Sequence, residues 1–418
     1  MKRKHYFTQL LIGCLLISSI FVINCDNSST NPDSPKVLPD LTAAEKQLTE
    51  ADNRFGLKLF QKIVAESGDG NVFISPLSVS MALGMTWNGS AGTTREAMTE
   101  VLEYGDLTAE EINQSYKNLI DILQQADDQV LFQIANSIWY REGFSVLAAF
   151  LSLNQTYFDA VVRSLDFNRS DAADIINTWV SDKTNEKIEE IVQPPIDPMT
   201  VMFLINAIYF KGTWTYEFDQ AETKSEPFYI STDNQIECPM MSHTCEHDYF
   251  ANDLFQAVDL PYGDGNFRMA VILPSYSVDI DSVIKSMDNA TWNSWLSQFE
   301  KTEINLFLPK FKLEYETSLA EVLSQLGMEI AFTPGLADFT NINSGGNLYI
   351  SKVIHKTFID FNEEGTEAAA ATVVVIDLTG MVDEIEMRVN RPFIVVLHER
   401  HSGTILFIGK IVQPKYDD

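Results

Sequence analysis

The sequence predicts an α+β protein folded as one large domain, and three observations carry that prediction. Helical apolar periodicity dominates the early chain and strand-like runs dominate the rest, without the regular alternation of a doubly wound sheet. After residue 45 there is neither an internal repeat nor a linker-like stretch. With 418 residues, 45% hydrophobic and 21% charged, the chain is of globular composition and long enough for one unusually large core.

The elements follow in order. Ala44–Glu66 sets Phe55, Leu59 and Ile63 on one helical face. Ser75-Pro76-Leu77-Ser78 opens a second apolar helix through Met85, and Thr93–Leu102 reads as a third. Leu131–Tyr140 has strand character, and Asp171–Ile188 is amphipathic and closed by Pro194-Pro195. Strands then take over at Val201–Lys211, Phe228–Ile230, Ala257–Leu260, Arg268–Leu273, Ile304–Leu313 and Val353–Phe361. Phe393–His398 and Thr404–Lys410 end the chain, and only Ser282–Phe299 and Ser318–Gly327 interrupt with helical patterns.

Charge removes one class of function. Twenty-nine basic residues against 59 acidic ones leave a formal charge of −30, so nothing basic is available to displace counterions from nucleic acid. The amino terminus reads as an address: Lys2, Arg3 and Lys4 precede a nearly unbroken apolar run from Leu10 to Ile23, ending at Cys25. Residues 26–35 can bury nothing and read as a flexible tether. A cysteine at such a junction resembles a bacterial lipoprotein cleavage site. Leu11-Ile12-Gly13-Cys14 fits that pattern better, but cleavage there would leave an apolar run on the mature chain. The expectation is a signal peptide over 1–24, lipidation at Cys25, a tether over 25–45, one domain over 46–418, and an extracytoplasmic location, secreted or lipid-anchored.

Cys238, His243, Cys245 and His247 spell C-x4-H-x-C-x-H. Zinc sites usually join tight knuckles from separated segments, whereas this cluster lies in one extended run, so the reading is plain packing, with no metal and no disulfide. Enzyme motifs fail in turn. Asn88-Gly89-Ser90-Ala91-Gly92 has its serine one place too early for a nucleophile elbow. Ser282-Val-Ile-Lys285 matches S-x-x-K on a polar helix without supporting motifs, and His398-Glu399-Arg400-His401 lacks the spacing that aligns two imidazoles on a helix. Nothing points to an enzyme or to a cofactor.

The informative stretch is Phe361 to Gly380. Gly365 is a natural pivot, lacking the Cβ that restricts backbone rotation. After it, Thr366, Ala368, Ala370, Thr372, Val374, Ile376 and Leu378 form an uncharged alternate set, while Glu367 and Asp377 fall on the other. That is the pattern of a strand with one buried face, small at its start. The alanines equally favour a buried helix, and periodicity alone leaves both open.

Several motifs in order resolve this. Asn71-Val-Phe-Ile-Ser-Pro-Leu-Ser78, Asn206-Ala-Ile-Tyr-Phe-Lys-Gly-Thr-Trp214, Leu308-Pro-Lys-Phe311, Ser351-Lys-Val-Ile-His355, Asn390-Arg-Pro-Phe393 and Phe407-Ile-Gly-Lys410 resemble those of the serpins, from about residue 46 to Lys415. The resemblance implies three β-sheets, about nine helices and an exposed reactive-centre loop. It implies inhibition of serine proteases by suicide-substrate trapping: the cleaved loop enters the central sheet and drags the acylated protease with it. The hinge would be Glu363, Glu364, Gly365, Thr366, Glu367, Ala368, Ala369, Ala370, Ala371 and Thr372, whose small inward residues fit an inhibitory member. Family spacing from Gly365 places the reactive bond at Thr379–Gly380, with Leu378 and Met381 as alternatives. No basic residue lies between Gly365 and Arg388, which points away from trypsin-like targets toward elastase-, subtilisin- or chymotrypsin-like ones, and papain-like cysteine proteases also fit. Ser75, Ser78, Asn206 and His355 resemble the shutter beneath the central strands. Lys310, Trp214 and Glu363 resemble the breach where insertion begins. The implied partner is a protease held as a covalent acyl complex, with the inhibitor monomeric and its only membrane contact a lipid anchor. The alternative is a non-inhibitory relative acting as a protease substrate or binding scaffold.

Overall fold

Helix boundaries follow from local chemistry. In α1 (Ala43–Ser67) the Thr42 hydroxyl accepts the Glu45 N–H, and the Glu45 carboxylate accepts the Thr42 N–H at 2.6 Å, a reciprocal cap. Helix α2 (Pro76–Trp87) starts at a Ser75 cap with proline in its first turn, and its nearly all-round apolar surface sinks it into the core. It crosses α1 closely because Gly56 has no side chain: a Cβ there would sit 2.4 Å from the Pro76 ring. The remaining helices are α3 (Gly92–Val101), α4 (Ala109–Gln125), α5 (Ala148–Tyr157), α6 (Ala172–Lys183), α7 (Ile280–Ser286), α8 (Asn289–Leu296), α9 (Ala320–Leu323) and α10 (Glu329–Phe332). The computed structural model describes residues 36–366 and 385–416.

Fifteen strands are described: β1 (Val72–Ile74), β2 (Val130–Arg141), β3 (Val161–Leu165), β4 (Met202–Thr213), β5 (Lys224–Ser231), β6 (Asn234–Ala251), β7 (Phe255–Tyr262), β8 (Phe267–Pro274), β9 (Glu300–Pro309), β10 (Phe311–Ser318), β11 (Ile354–Asn362), β12 (Gly365–Thr366), β13 (Ile385–Arg388), β14 (Phe393–Glu399) and β15 (Ile405–Ile411). They make a six-stranded sheet, β10-β11-β12-β4-β2-β3, and a nine-stranded one, β1-β15-β14-β8-β7-β6-β9-β13 with β5 beside β6. The expected second and third sheets are thus hydrogen-bonded into one, because the 18-residue β6 pairs with β5 at its start and β7 at its end. Strands β8 and β14 are buried along their whole length, as their unbroken apolar runs require.

Several expectations need correction. Residues 36–45 do not behave as a tether: Leu38 is buried, Asn266 Nδ2 donates to the Lys36 carbonyl, and His401 Nε2 lies 2.7 Å from the Pro39 carbonyl. Ile304–Leu313 is two strands in different sheets, parted at Lys310. Ser282–Phe299 is two short helices, and Ser318–Gly327 runs into a π-turn where Gly327 turns left-handed at φ +124°. Helix α6 stops at Lys183, ahead of Asn185 and Glu186, which both adopt positive φ. Helices α4 and α5 and strands β3 and β6 carried no sequence expectation. His398 and Glu399 have structural partners. His398 Nε2 is 3.0 Å from the buried Asp259, and the Glu399 carboxylate accepts the His401 and Ser402 N–H groups of the following turn.

Candidate functional site

The six-stranded sheet seats β12, Gly365 and Thr366 of the expected hinge, between β11 and β4. Gly365 and Thr366 pair antiparallel with Asn362 and Phe361 of β11 and, on their other side, with Thr213 and Gly212 of β4. Among the described residues, these two carry the backbone pairing between β4 and β11. Gly365 must be glycine: its φ is +143°, and a Cβ would lie 2.1 Å from the Gly212 carbonyl oxygen. Thr366 points inward, 5% exposed, with its hydroxyl 2.8 Å from that of Tyr262.

Above this point a cluster grips the turn at Glu363 and Glu364. The Lys310 ammonium lies 2.9 Å from the Glu363 carboxylate, whose other oxygen accepts from the Thr223 hydroxyl at 2.8 Å. Trp214 donates its ring N–H to the Asn362 carbonyl and its main-chain N–H to Glu364, while Phe218 N–H donates to Glu363. The indole stacks on Tyr262 at 4.1 Å and meets Phe361 edge-on at 5.2 Å, which fixes its orientation. Burial alone would lower the Lys310 pKa, but its bond and attraction to Glu363 outweigh that and raise it. Burial and the neighbouring Glu363 raise Glu364, and burial with Glu364 raises Glu217, so carboxylates crowd this end of the sheet.

Lower down, Ser75, Ser78, Asn206 and His355 form a chain through the start of α2. Ser75 N–H donates to His355 Nε2 at 2.9 Å, and its hydroxyl donates to the Leu406 carbonyl at 2.7 Å. That same hydroxyl accepts the Ser78 N–H, and Ser78 Oγ lies 3.5 Å from the Asn206 carbonyl. Burial pushes His355 down to about 4, so the ring is neutral and accepts through Nε2. Asn206 Nδ2 donates to Asn136 Oδ1 at 2.8 Å, whereas its buried Oδ1 has no partner. The two halves are level. Thr366 faces Phe361 and Gly212, and His355 and Asn206 each lie six residues further along those strands.

Glu367, Ala368, Ala369, Ala370, Ala371, Thr372, Leu378, Thr379, Gly380, Met381 and Cys25 lie outside the described residues. Sequence reasoning missed Tyr262, Thr223, Phe218 and Asn136. Asn136 had a signal, a polar pair with Ser137 in the middle of a largely apolar strand; the other three had none.

Comparison with known proteins agrees with this architecture. A profile described as "Serpin (serine protease inhibitor)" matches residues 50–414. An uncharacterized serpin-like protein of Thermococcus kodakarensis is 32% identical over 431 residues, covering 98% of this chain and 99% of its own. Leukocyte elastase inhibitor of Equus caballus is 33% identical over 380 residues, covering 88% and 100%. A crystal structure of human thyroxine-binding globulin complexed with thyroxine superposes with a TM-score of 0.82 at 29% identity, covering 90% and 100%. The chain belongs to the serpin family, whose members are mostly protease inhibitors rather than catalysts.

Proposed function

We propose that this chain inhibits serine proteases by trapping them as acyl-enzymes, and that the observation carrying the reading is the seating of Thr366 between β11 and β4. Its neighbours on both sides run antiparallel to it, so a strand continuing from Thr366 meets two waiting edges. Side chains alternate along such a strand, and Thr366 faces inward, so Ala368, Ala370 and Thr372 would follow it into the body. Extending the register by six residues sets Thr372 level with His355 and Asn206. Small uncharged residues on that face keep the cost of entry low.

The chemistry begins in the protease. Its serine Oγ attacks the Thr379 carbonyl, the Thr379–Gly380 bond breaks, and the Gly380 amine leaves with a proton from the protease's own acid. The ester then joins Thr379 to the serine, and insertion of about twelve residues carries the acylated protease roughly 40 Å before water hydrolyses it. Lys310 and Glu363 close the entry point, and the Ser75–His355 and Ser78–Asn206 contacts tie the flanking strands to α2 until the sheet opens. A residue without a basic side chain at the reactive bond directs the inhibitor to elastase-, subtilisin- or chymotrypsin-like enzymes. The similarity to leukocyte elastase inhibitor favours the same class. The thyroxine-binding globulin likeness keeps a second reading in play, a carrier or protease substrate that does not trap.

One experiment separates them. The purified full chain is mixed with pancreatic elastase, subtilisin, chymotrypsin and trypsin, and the products are resolved on denaturing gels and by mass spectrometry. The expected result is an SDS-stable adduct with the first three and a released peptide beginning at Gly380. Complete cleavage with full protease activity and no adduct would establish the second reading. We also propose that Cys25 carries the lipid anchor of an extracytoplasmic inhibitor. Labelling with a radioactive fatty acid is then lost in Cys25→Ala, and persistence of label in that variant would refute it.

A further inference from the structure

Strand β6 places His243, Cys245 and His247 at alternate positions, on one face. Four residues of flat strand would separate the two histidines by about 13 Å. Their ring centroids are 4.9 Å apart instead, and the two Nε2 atoms 2.8 Å, so the rings lean together over Cys245. All three potential donor atoms lie within 4.8 Å of one another. Cys238, seven positions before Cys245, is not in the group, and neither cysteine is in a disulfide. The Nε2–Nε2 contact is a hydrogen bond: His243 holds its proton on Nδ1 toward the Glu217 carbonyl, so its Nε2 accepts from His247 Nε2–H. That bond accounts for the two rings, but not for the thiol enclosed between them.

The surroundings orient one of the two rings from behind. His243 Nδ1 lies 3.4 Å from the Glu217 carbonyl, the contact that commits Nε2 to the inside of the cluster. The ring stacks on Phe218 at 3.9 Å, while Tyr216 meets His247 edge-on at 5.9 Å. His247 is 1% exposed, and its Nδ1 is buried without a hydrogen-bond partner. The cations that bear on His247 are Lys301 and Arg268, and both are ion-paired with Asp248.

The geometry points to a binding site for a zinc-type divalent ion at His243, Cys245 and His247, with a fourth position left to water. Two nitrogens held about 2.05 Å from a tetrahedral zinc lie roughly 3.3 Å apart, half an ångström or so wider than the present separation and within reach of small ring rotations. Mixed thiolate and imidazole donors select such an ion over magnesium or calcium. Binding ionises Cys245: the sulfur–hydrogen bond breaks, the sulfur keeps its electron pair for the metal, and the proton leaves to solvent. His247, whose Nε2–H is donated to His243 in the free protein, shifts that proton to Nδ1 and so frees Nε2 for the metal.

The test uses the purified full chain, stripped by chelator and titrated with Co2+ and then Zn2+. One equivalent of Co2+ is expected to raise a thiolate-to-cobalt charge-transfer band that Zn2+ abolishes. Cys245→Ser removes the band, and His243→Gln weakens binding by at least about tenfold. Both positions are partly exposed, and near-ultraviolet circular dichroism checks that the variants fold. Cys238→Ser, altered outside the cluster, keeps both band and affinity. Absence of the band, its survival in Cys245→Ser, or its loss in Cys238→Ser would overturn the site.

Discussion

The two ends of the gap between β4 and β11 are held by different chemistry. At the entry end, Lys310 and Glu363 form a largely buried ion pair, and Trp214 and Phe218 donate to the main chain of residues 362–364 themselves. Midway down, the contacts are neutral: Ser75 to His355 on the β11 side, Ser78 to Asn206 on the β4 side, both running through the first turn of α2. The entry end therefore grips the hinge directly, while the middle holds the two strands to a common helix. In the proposed mechanism the first must yield before any loop residue enters, and the second must re-form around each one. Charge suits the gate, because removing one partner of a buried pair is costly. Neutral hydrogen bonds suit the middle, because each is worth only about 1 kcal/mol net and exchanges readily.

The largest effect is expected at the point where the two regions meet. Thr366→Arg forces a guanidinium against Tyr262 in a nearly closed site, a burden of several kcal/mol for an unpaired buried charge. Cleavage by elastase should proceed while the fraction recovered as SDS-stable adduct falls by at least about tenfold. A variant that traps as efficiently as the parent would break the assignment of Thr366 to the inward face.

Next comes the gate alone. Glu363→Lys sets two ammonium groups against each other at a 2.9 Å contact and also orphans the Thr223 hydroxyl, at a cost of about 3–5 kcal/mol. The end of the sheet should open spontaneously and accept strands from other copies, giving ladders on native gels after mild heating. If the variant stays monomeric under conditions that leave the parent monomeric, the ion pair is not what keeps the entry closed. Lys310→Glu combined with Glu363→Lys should recover most of the loss.

The shutter offers a pH test of its own. His355 titrates near 6.5 when unfolded and near 4 when folded, so the native state binds the proton less readily. Its contribution is fully present above pH 6.5 and is lost as pH falls through that value toward 4, about 3 kcal/mol in all. His243 and His247 act in the same direction, whereas Asp52, raised to about 7 by burial, loses stability as pH rises from 4 to 7. The informative quantity is consequently the difference between parent and His355→Gln in urea denaturation at each pH. A difference that does not shrink between pH 6.5 and 4 would show that His355 is not the group concerned.

How much of this was legible in the sequence depended on whether a residue's partner was near in the chain or carried a motif. Helix α2 and the hinge glycine could be read because Ser75-Pro76 and Gly365 impose local backbone geometry. Tyr262 could not, since its role comes from strand β7 bringing a hydroxyl beneath Thr366 from 104 residues away. Ile304–Leu313 read as one strand because strand-forming apolar residues flank Lys310 on both sides; the buried positions change phase at Leu308–Pro309, and only the tertiary structure assigns the halves to separate sheets. The H-x-C-x-H run was read as packing because spacing alone does not reveal that two rings four residues apart on a strand lean together.

The smallest effects separate the two arms of the shutter. The Ser75 hydroxyl donates at 2.7 Å to a buried carbonyl and also caps α2 through the Ser78 N–H, so Ser75→Ala should cost about 1–2 kcal/mol. The Ser78 hydroxyl reaches the Asn206 carbonyl only at 3.5 Å, the outer limit of a hydrogen bond, and Ser78→Ala should cost at most about 0.5 kcal/mol. Urea midpoints at neutral pH rank the two directly. With the order as stated, the Ser75 hydroxyl, which ties α2 to β15, outweighs the Ser78 hydroxyl, which reaches β4; the tie to β11 runs through the Ser75 main-chain N–H and survives in both variants. A larger loss for Ser78→Ala would make the contact to β4 the stronger of the two hydroxyl ties.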